Sequence, residues 1–185
     1  SLDQKGSMEA DLRHAGAKVE AFPAYDRQYH RPGPSSGQRR KRGELAQCIG
    51  RSRGGRTTKL HAVVDGLGRP LDFVLTGGEV HDGPILPQLL NHPTPPLAIC
   101  ADKGYDSASN RQAVIDDGAV PVIPYRSNTL KPKPYDKRLY RERNLVERFF
   151  CRLKDMRRIA QRFDKLARNF LAAVHLFSIR LWLRY

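Results

Sequence analysis

The chain has 185 residues, enough for one domain with its own core, and its 39% hydrophobic content can fill that core. Its 33 Lys/Arg against 19 Asp/Glu leave a formal net charge of +14, which points to a polyanionic partner, nucleic acid first. The most apolar stretch, 170–183, is broken by His175 and Arg180 and excludes a bilayer span, and no signal-peptide pattern opens the sequence. Cys48, Cys100 and Cys151 lie far apart without a CxxC or Cys/His pairing, which argues against a zinc site or disulfide framework and suits a reducing cytoplasm.

In chain order, residues 1–44 carry scattered charge, the turn-rich PGPSSGQ at 32–38 and the basic run RRKR at 39–42, with no sustained apolar period. They read as a disordered segment, and 45–185 as the folded domain. KLHAVVD (59–65) and LDFVLTGG (71–78) read as strands joined by the turn GLGRP (66–70), a hairpin. HDGPILPQLL (81–90) reads as a short capped helix and LAICAD (97–102) as a strand ending in an acid. SASNRQAVIDDG (107–118) has a Ser start and a Gly stop, and AVPVIPY (119–125) is the next strand. After a Pro/Lys-rich loop, two helices follow, at 141–159 and 166–184. The order predicts an α/β fold: a mixed sheet flanked by helices.

Asp102 falls at the carboxyl end of an apolar strand, where ligands and catalytic groups collect in α/β sheets. The alternative is an Asp that caps the loop before the helix at Ser107. Further on, Tyr140, Arg143, Glu147, Cys151 and Lys154 are spaced by 3 or 4 and share one helix face, while Val146, Phe149, Phe150 and Leu153 share another. On spacing alone, Glu147 reads first as half of a solvated Arg143–Glu147 pair. Asp65 reads as a turn residue and His81–Asp82 as a helix start. In the last helix, Leu166, Phe170, Val174, Phe177 and Leu181 read as core, with a dimer contact as the lesser alternative.

Three separate stretches, GRSRGGRTTKLHAVVDGLGRPLDFVLTGGEVHD (50–82), ADKGYDS (101–107) and the Y-x2-R-x3-E-x6-K spacing of Tyr140, Arg143, Glu147 and Lys154, together resemble the DDE transposases of bacterial insertion sequences. The resemblance runs from about Gly50 to the C-terminus. It implies a ribonuclease-H-like catalytic domain in which two Asp and one Glu surround two divalent metal ions, Mg2+ or Mn2+. It further implies metal-dependent cleavage at the element's ends and strand transfer to target DNA, by a cytoplasmic, nucleoid-associated protein acting on double-stranded terminal repeats. Asp102 and Glu147 would be metal ligands, Lys154 would meet DNA, and Arg143 and Tyr140 would orient Glu147 or contact phosphate.

The family's first Asp sits in a strand written roughly D-[ST]-[ST]-x-V-R-A-H, about twenty residues before GRSRGG, and no such string occurs here. Asp26 is the nearest acid, inside YDRQYHRPGP, which lacks strand character. Back-translating Tyr25 to Pro34 and shifting by one nucleotide permits the codons for MIDSTIVRA, the string the family would place there. The expectation is an N-terminal segment out of the transposase frame and a sheet without a proper first strand. Such a chain would bind DNA but be weakly active or inactive in cleavage, and the alternative reading is a catalytically defective remnant acting only as a basic DNA-binding protein, its 12 Lys/Arg against 4 Asp/Glu in 140–185 holding the nucleic acid.

Overall fold

The computed structural model describes residues 16–25 (backbone only), 47–52, 55–90, 96–127, 129 and 134–184. Its strands are β1 (Gly16–Tyr25), β2 (Gly50–Ser52), β3 (Gly55–Val64), β4 (Pro70–Gly77), β5 (Ala98–Ala101) and β6 (Val120–Val122). Its helices are α1 (Leu86–Leu89, led in by a 3-10 turn at Gly83–Ile85), α2 (Ala108–Asp116), α3 (Lys137–Arg141), α4 (Asn144–Lys154), α5 (Arg157–Ala160) and α6 (Ala167–Trp182). The strands form one sheet in the order β2-β3-β1-β5-β6, with β4 also paired to β3. β5 runs parallel to β1 and β6, while β2 and β3 are antiparallel. This is the mixed, helix-flanked α/β sheet of the ribonuclease-H-like class.

One expectation is corrected at the start of the chain, because a first strand is present. Gly16–Tyr25 pairs with β5 in the register Gly16↔Ala98 to Val19↔Ala101 and lies between β3 and β5. GAKVEAFPAY alternates only weakly, with Ala in apolar positions and Pro23 near the end, so the period of two was too faint to read. The register to β5 supplies what the local pattern does not. Asp26 and the residues of the proposed frame shift beyond Tyr25 lie outside the described residues.

The hairpin is built as its sequence suggests. The Asp65 carboxylate accepts from the backbone N–H of Leu67 and Arg69, each at 2.9 Å, and from Arg69 Nε at 2.7 Å, closing the turn through Gly68 at φ +81°. Two glycines let β4's end approach its neighbours. A Cβ at Gly78 would collide with buried Thr57 Oγ1 at 1.8 Å, whereas one at Gly77 would meet only the Glu79 side chain, nearest at 2.6 Å.

The described residues divide into two compact units, one drawn from 16–20, 62–72 and 81–149, the other from 21–25, 47–61, 73–80 and 150–184. In the first, β5 is buried throughout, its Ala98 and Cys100 cluster with Val122, and Leu86, Leu89, Tyr105, Val114 and Val146 are also buried. In the second, Leu60, Leu153, Ile159, Phe170, Val174 and Leu181 are buried. Phe170, Val174, Phe177 and Leu181 thus fill the core role expected of the last helix, but Leu166 is 40% exposed at the helix start. That second unit also buries Arg162, whose guanidinium donates to the carbonyls of Gln47, Cys48, Asp164 and Lys165.

The helix expected over 141–159 is three pieces. Asp136 caps α3, its carboxylate accepting from the N–H of Arg138 and Leu139. A tight turn follows, with Glu142 N bonded to Leu139 O and Arg143 N to Tyr140 O, each at 3.0 Å. Asn144, a residue suited to helix starts, then opens α4.

Candidate active site

Asp102 continues β5 in extended conformation, at φ −69° and ψ 160°. Its carbonyl accepts from Tyr105 N at 2.9 Å and begins a 3-10 turn over Lys103–Tyr105, but its carboxylate caps nothing. The cap of α2 is Ser107, whose Oγ accepts from Asn110 N at 3.1 Å. The capping role that sequence left open for Asp102 is therefore filled by another residue. It stands at the carboxyl end of a strand parallel to both its neighbours, where α/β sheets place their ligands.

A second acid faces the same turn. A Cβ added at Gly104 would stand 3.7 Å from Asp82 Oδ2 and 3.8 Å from Asp102 Oδ2, so the two carboxylates approach the bare glycine together. Asp82 leads the 3-10 turn before α1, as expected of a helix start, but through its carbonyl, which accepts from Ile85 N at 3.0 Å, and not through its side chain. Sequence reading missed this approach, since Asp82 and Asp102 belong to different motifs.

Tyr140, Arg143 and Glu147 form a second group. The Arg143 guanidinium sits 5.5 Å from the Tyr140 ring centroid and pairs with Glu147 Oε1 at 2.5 Å. Burial pushes the Tyr140 hydroxyl's pKa up; Arg143 opposes this, and the negative charge of Asp102 adds to it. Tyr140 therefore lies within electrostatic range of both Asp102 and Arg143. Glu147 is about half exposed, so its ion pair adds little to stability, about 0–1 kcal/mol. The break at Glu142–Arg143 corrects the single-helix face of the sequence reading: Tyr140 belongs to α3, Arg143 to the turn, and Glu147, Cys151 and Lys154 to α4. Lys154 is exposed, two turns beyond Glu147 and about 10 Å along the axis.

The family profile described as Transposase DDE domain matches residues 28–182. The chain belongs to the DDE transposases. It is 40% identical over 135 residues to a protein of Brucella ovis named as a transposase for insertion sequence element IS6501, covering 69% of this chain and 99% of that protein. It is 35% identical over 121 residues to one of Burkholderia cepacia named as a transposase for element IS402, covering 60% of this chain and 55% of the relative. No solved structure matches it.

DDE transposases are polynucleotidyl transferases that act on DNA and normally use divalent metal ions. The carboxylates of Asp102 and Glu147 have the hard-oxygen chemistry that Mg2+ and Mn2+ prefer. Their number falls short, because among the described residues no three of His, Cys, Asp and Glu gather as a metal-binding group. β1 has one acid, Glu20, one position past the Val19↔Ala101 pair and so level with Asp102 in the backbone register. Among the described residues no helix is long and apolar enough to cross a membrane.

Proposed function

We propose that this transposase domain carries out metal-dependent cleavage at insertion-element ends and transfer of the freed strand to target DNA. The observation that carries the reading is the uncommitted Asp102 carboxylate at the end of β5, within the field of a Tyr140–Arg143 pair that also holds Glu147. Asp102 and Glu147 would hold the ion, and a bound divalent ion would activate the attacking hydroxyl or water and stabilise the leaving oxygen. Arg143 keeps Glu147 in place and offsets the repulsion between carboxylate and phosphate. Lys154 and the neighbouring exposed cations of α4 meet the DNA backbone. The setting is the bacterial cytoplasm, on the nucleoid, with two copies pairing the element's ends.

A single-turnover assay on the cognate terminal repeats with Mg2+ or Mn2+ tests this. Loss of product in Asp102→Ala and Glu147→Ala, with DNA binding retained, supports the reading, and unchanged product ends it. The short donor count favours a second reading, in which the chain binds DNA without cutting it. Salt-sensitive, metal-independent binding with no cleavage would favour that outcome. The proposed frame shift over Tyr25–Pro34 explains the short count, and the gene's nucleotide sequence decides it: absence of GAC at the third shifted codon defeats the idea.

A further inference from the structure

Asn110 lies in the first turn of α2 and is 3% exposed. Its carboxamide is used outside its own helix. Nδ2 donates to Tyr105 O at 2.8 Å and to Gly83 O at 2.9 Å. Tyr105 closes the turn that Asp102 begins, and Gly83 directly follows Asp82. One buried side chain therefore fastens the Asp102 turn to the Asp82 turn. The two turns are direct neighbours, since a Cβ at Gly83 would make ordinary contact with Gly104 O at 3.6 Å and Asn110 Nδ2 at 3.7 Å.

The other side of the Asp102 turn has its own fastening. Arg126 Nη2 donates to Gly104 O at 3.0 Å, and Arg126 N donates to Asp106 Oδ2 at 3.1 Å. Asp106 Oδ1 in turn accepts from Arg111 Nε at 2.9 Å and forms an ion pair with Nη2, which donates to Ile123 O at 2.6 Å. None of these bonds uses the Asp102 carboxylate. The turn is held by its carbonyls while its acid is left to face outward chemistry.

We propose that Asn110 is a positioning residue for Asp102, its carboxamide setting the Asp102 turn against the Asp82 turn and so fixing where the Asp102 carboxylate stands. The inference rests on the reading of Asp102 as a metal ligand. A neutral amide suits the place because it offers two donors to two acceptors. A carboxylate of the same shape would face those carbonyls with lone pairs only. Asn110→Asp should therefore be more harmful than Asn110→Ala although it conserves volume, the reverse of what a space-filling role demands.

Hydrogen–deuterium exchange on the full chain provides the test. In Asn110→Ala, peptides covering 82–86 and 102–106 should both exchange about tenfold faster, the worth of one hydrogen bond, with β5 unchanged. Asn110→Asp should exceed that. The exposed Arg126→Ala should loosen 102–106 and leave 82–86 as in wild type, which keeps the idea testable if Asn110 variants fold poorly. Faster exchange in α2 alone, equal behaviour of the Asp and Ala variants, or loosening of both turns by Arg126→Ala overturns the proposal. In the cleavage assay, Asn110→Ala should raise the Mn2+ concentration for half-maximal product several-fold while DNA affinity holds, and an unchanged half-point counts equally against it. Failure of wild-type protein to cleave would count against the proposed function, and exchange would still decide for or against Asn110.

Discussion

Removing the buried cation Arg162 should unfold the second unit more readily than any loss of surface charge. Arg162 is 2% exposed and sits in left-handed backbone at φ +39°. Its guanidinium reaches Cys48 O at 3.1 Å, Lys165 O at 3.3 Å and Asp164 O at 3.4 Å, also bonds Gln47 O, and lies 5.2 Å from the Phe170 ring centroid. Stripping a shielded carbonyl of its donor costs about 1–3 kcal/mol, and Gln47 O would lose its donor in this way, whereas Cys48 O keeps the Thr58 hydroxyl. Arg162→Ala should thus lose on the order of 2 kcal/mol, roughly thirtyfold in the folding equilibrium. Arg162→Lys should recover less than half, because one ammonium cannot span the fan of carbonyls that a planar guanidinium covers. Urea titration followed through the single tryptophan, Trp182, on the last turn of α6, measures both. A loss below about 1 kcal/mol for the Ala variant, or a Lys variant equal to wild type, would refute the reasoning.

If about four exposed cations of the α4–α5 stretch, such as Arg148, Arg152, Lys154 and Arg157, touch phosphates, a fourfold rise in salt should weaken DNA binding roughly a hundredfold. Lys154→Ala should then reduce the logarithmic salt slope by about 0.9, and a slope insensitive to the substitution removes Lys154 from the interface. Gly78→Ala should cost about 1–3 kcal/mol against buried Thr57, while Gly77→Ala is tolerated as Glu79 swings aside; thermal melts that rank the two the other way contradict the packing. Arg158 donates to both Asp164 oxygens, at 3.0 and 2.9 Å, and this hydrogen bonding holds the Asp164 pKa below its ordinary value. The lowered folded pKa makes the stabilisation full at neutral pH and lost as pH falls below about 4, so wild-type and Asp164→Asn melting curves should converge in acid. A gap that stays constant across that range denies the linkage.

Local signals carried much of the fold. The Asp65–Gly68 turn, the Ser107 start and the Gly118 stop each act within a few residues, and the hairpin and α2 follow from them. What escaped depends on distant partners. β1 takes its place from the register to Ala98–Ala101, which GAKVEAFPAY does not announce. Arg162 reads as one more cation in a basic tail, yet its acceptors Gln47 and Cys48 lie more than a hundred residues upstream, and burial withdraws it from any DNA-facing surface. Asp102 and the Arg143–Glu147 pair were legible through their motifs and spacing. The approach of Asp82 to the Asp102 turn was not, nor was Asn110, whose place inside a helical pattern gave no hint that its amide serves two carbonyls outside the helix.

The Arg143–Glu147 contact also sets the terms on which a metal could arrive. Glu147 already has a counterion, supplied by its own chain, four residues away. A divalent ion at this carboxylate would exchange with a tethered guanidinium, whose local concentration does not fall on dilution. Occupancy should therefore follow a competition between ions, favouring double charge over single. Until an ion arrives, the pair leaves the acid neutralised by its own chain.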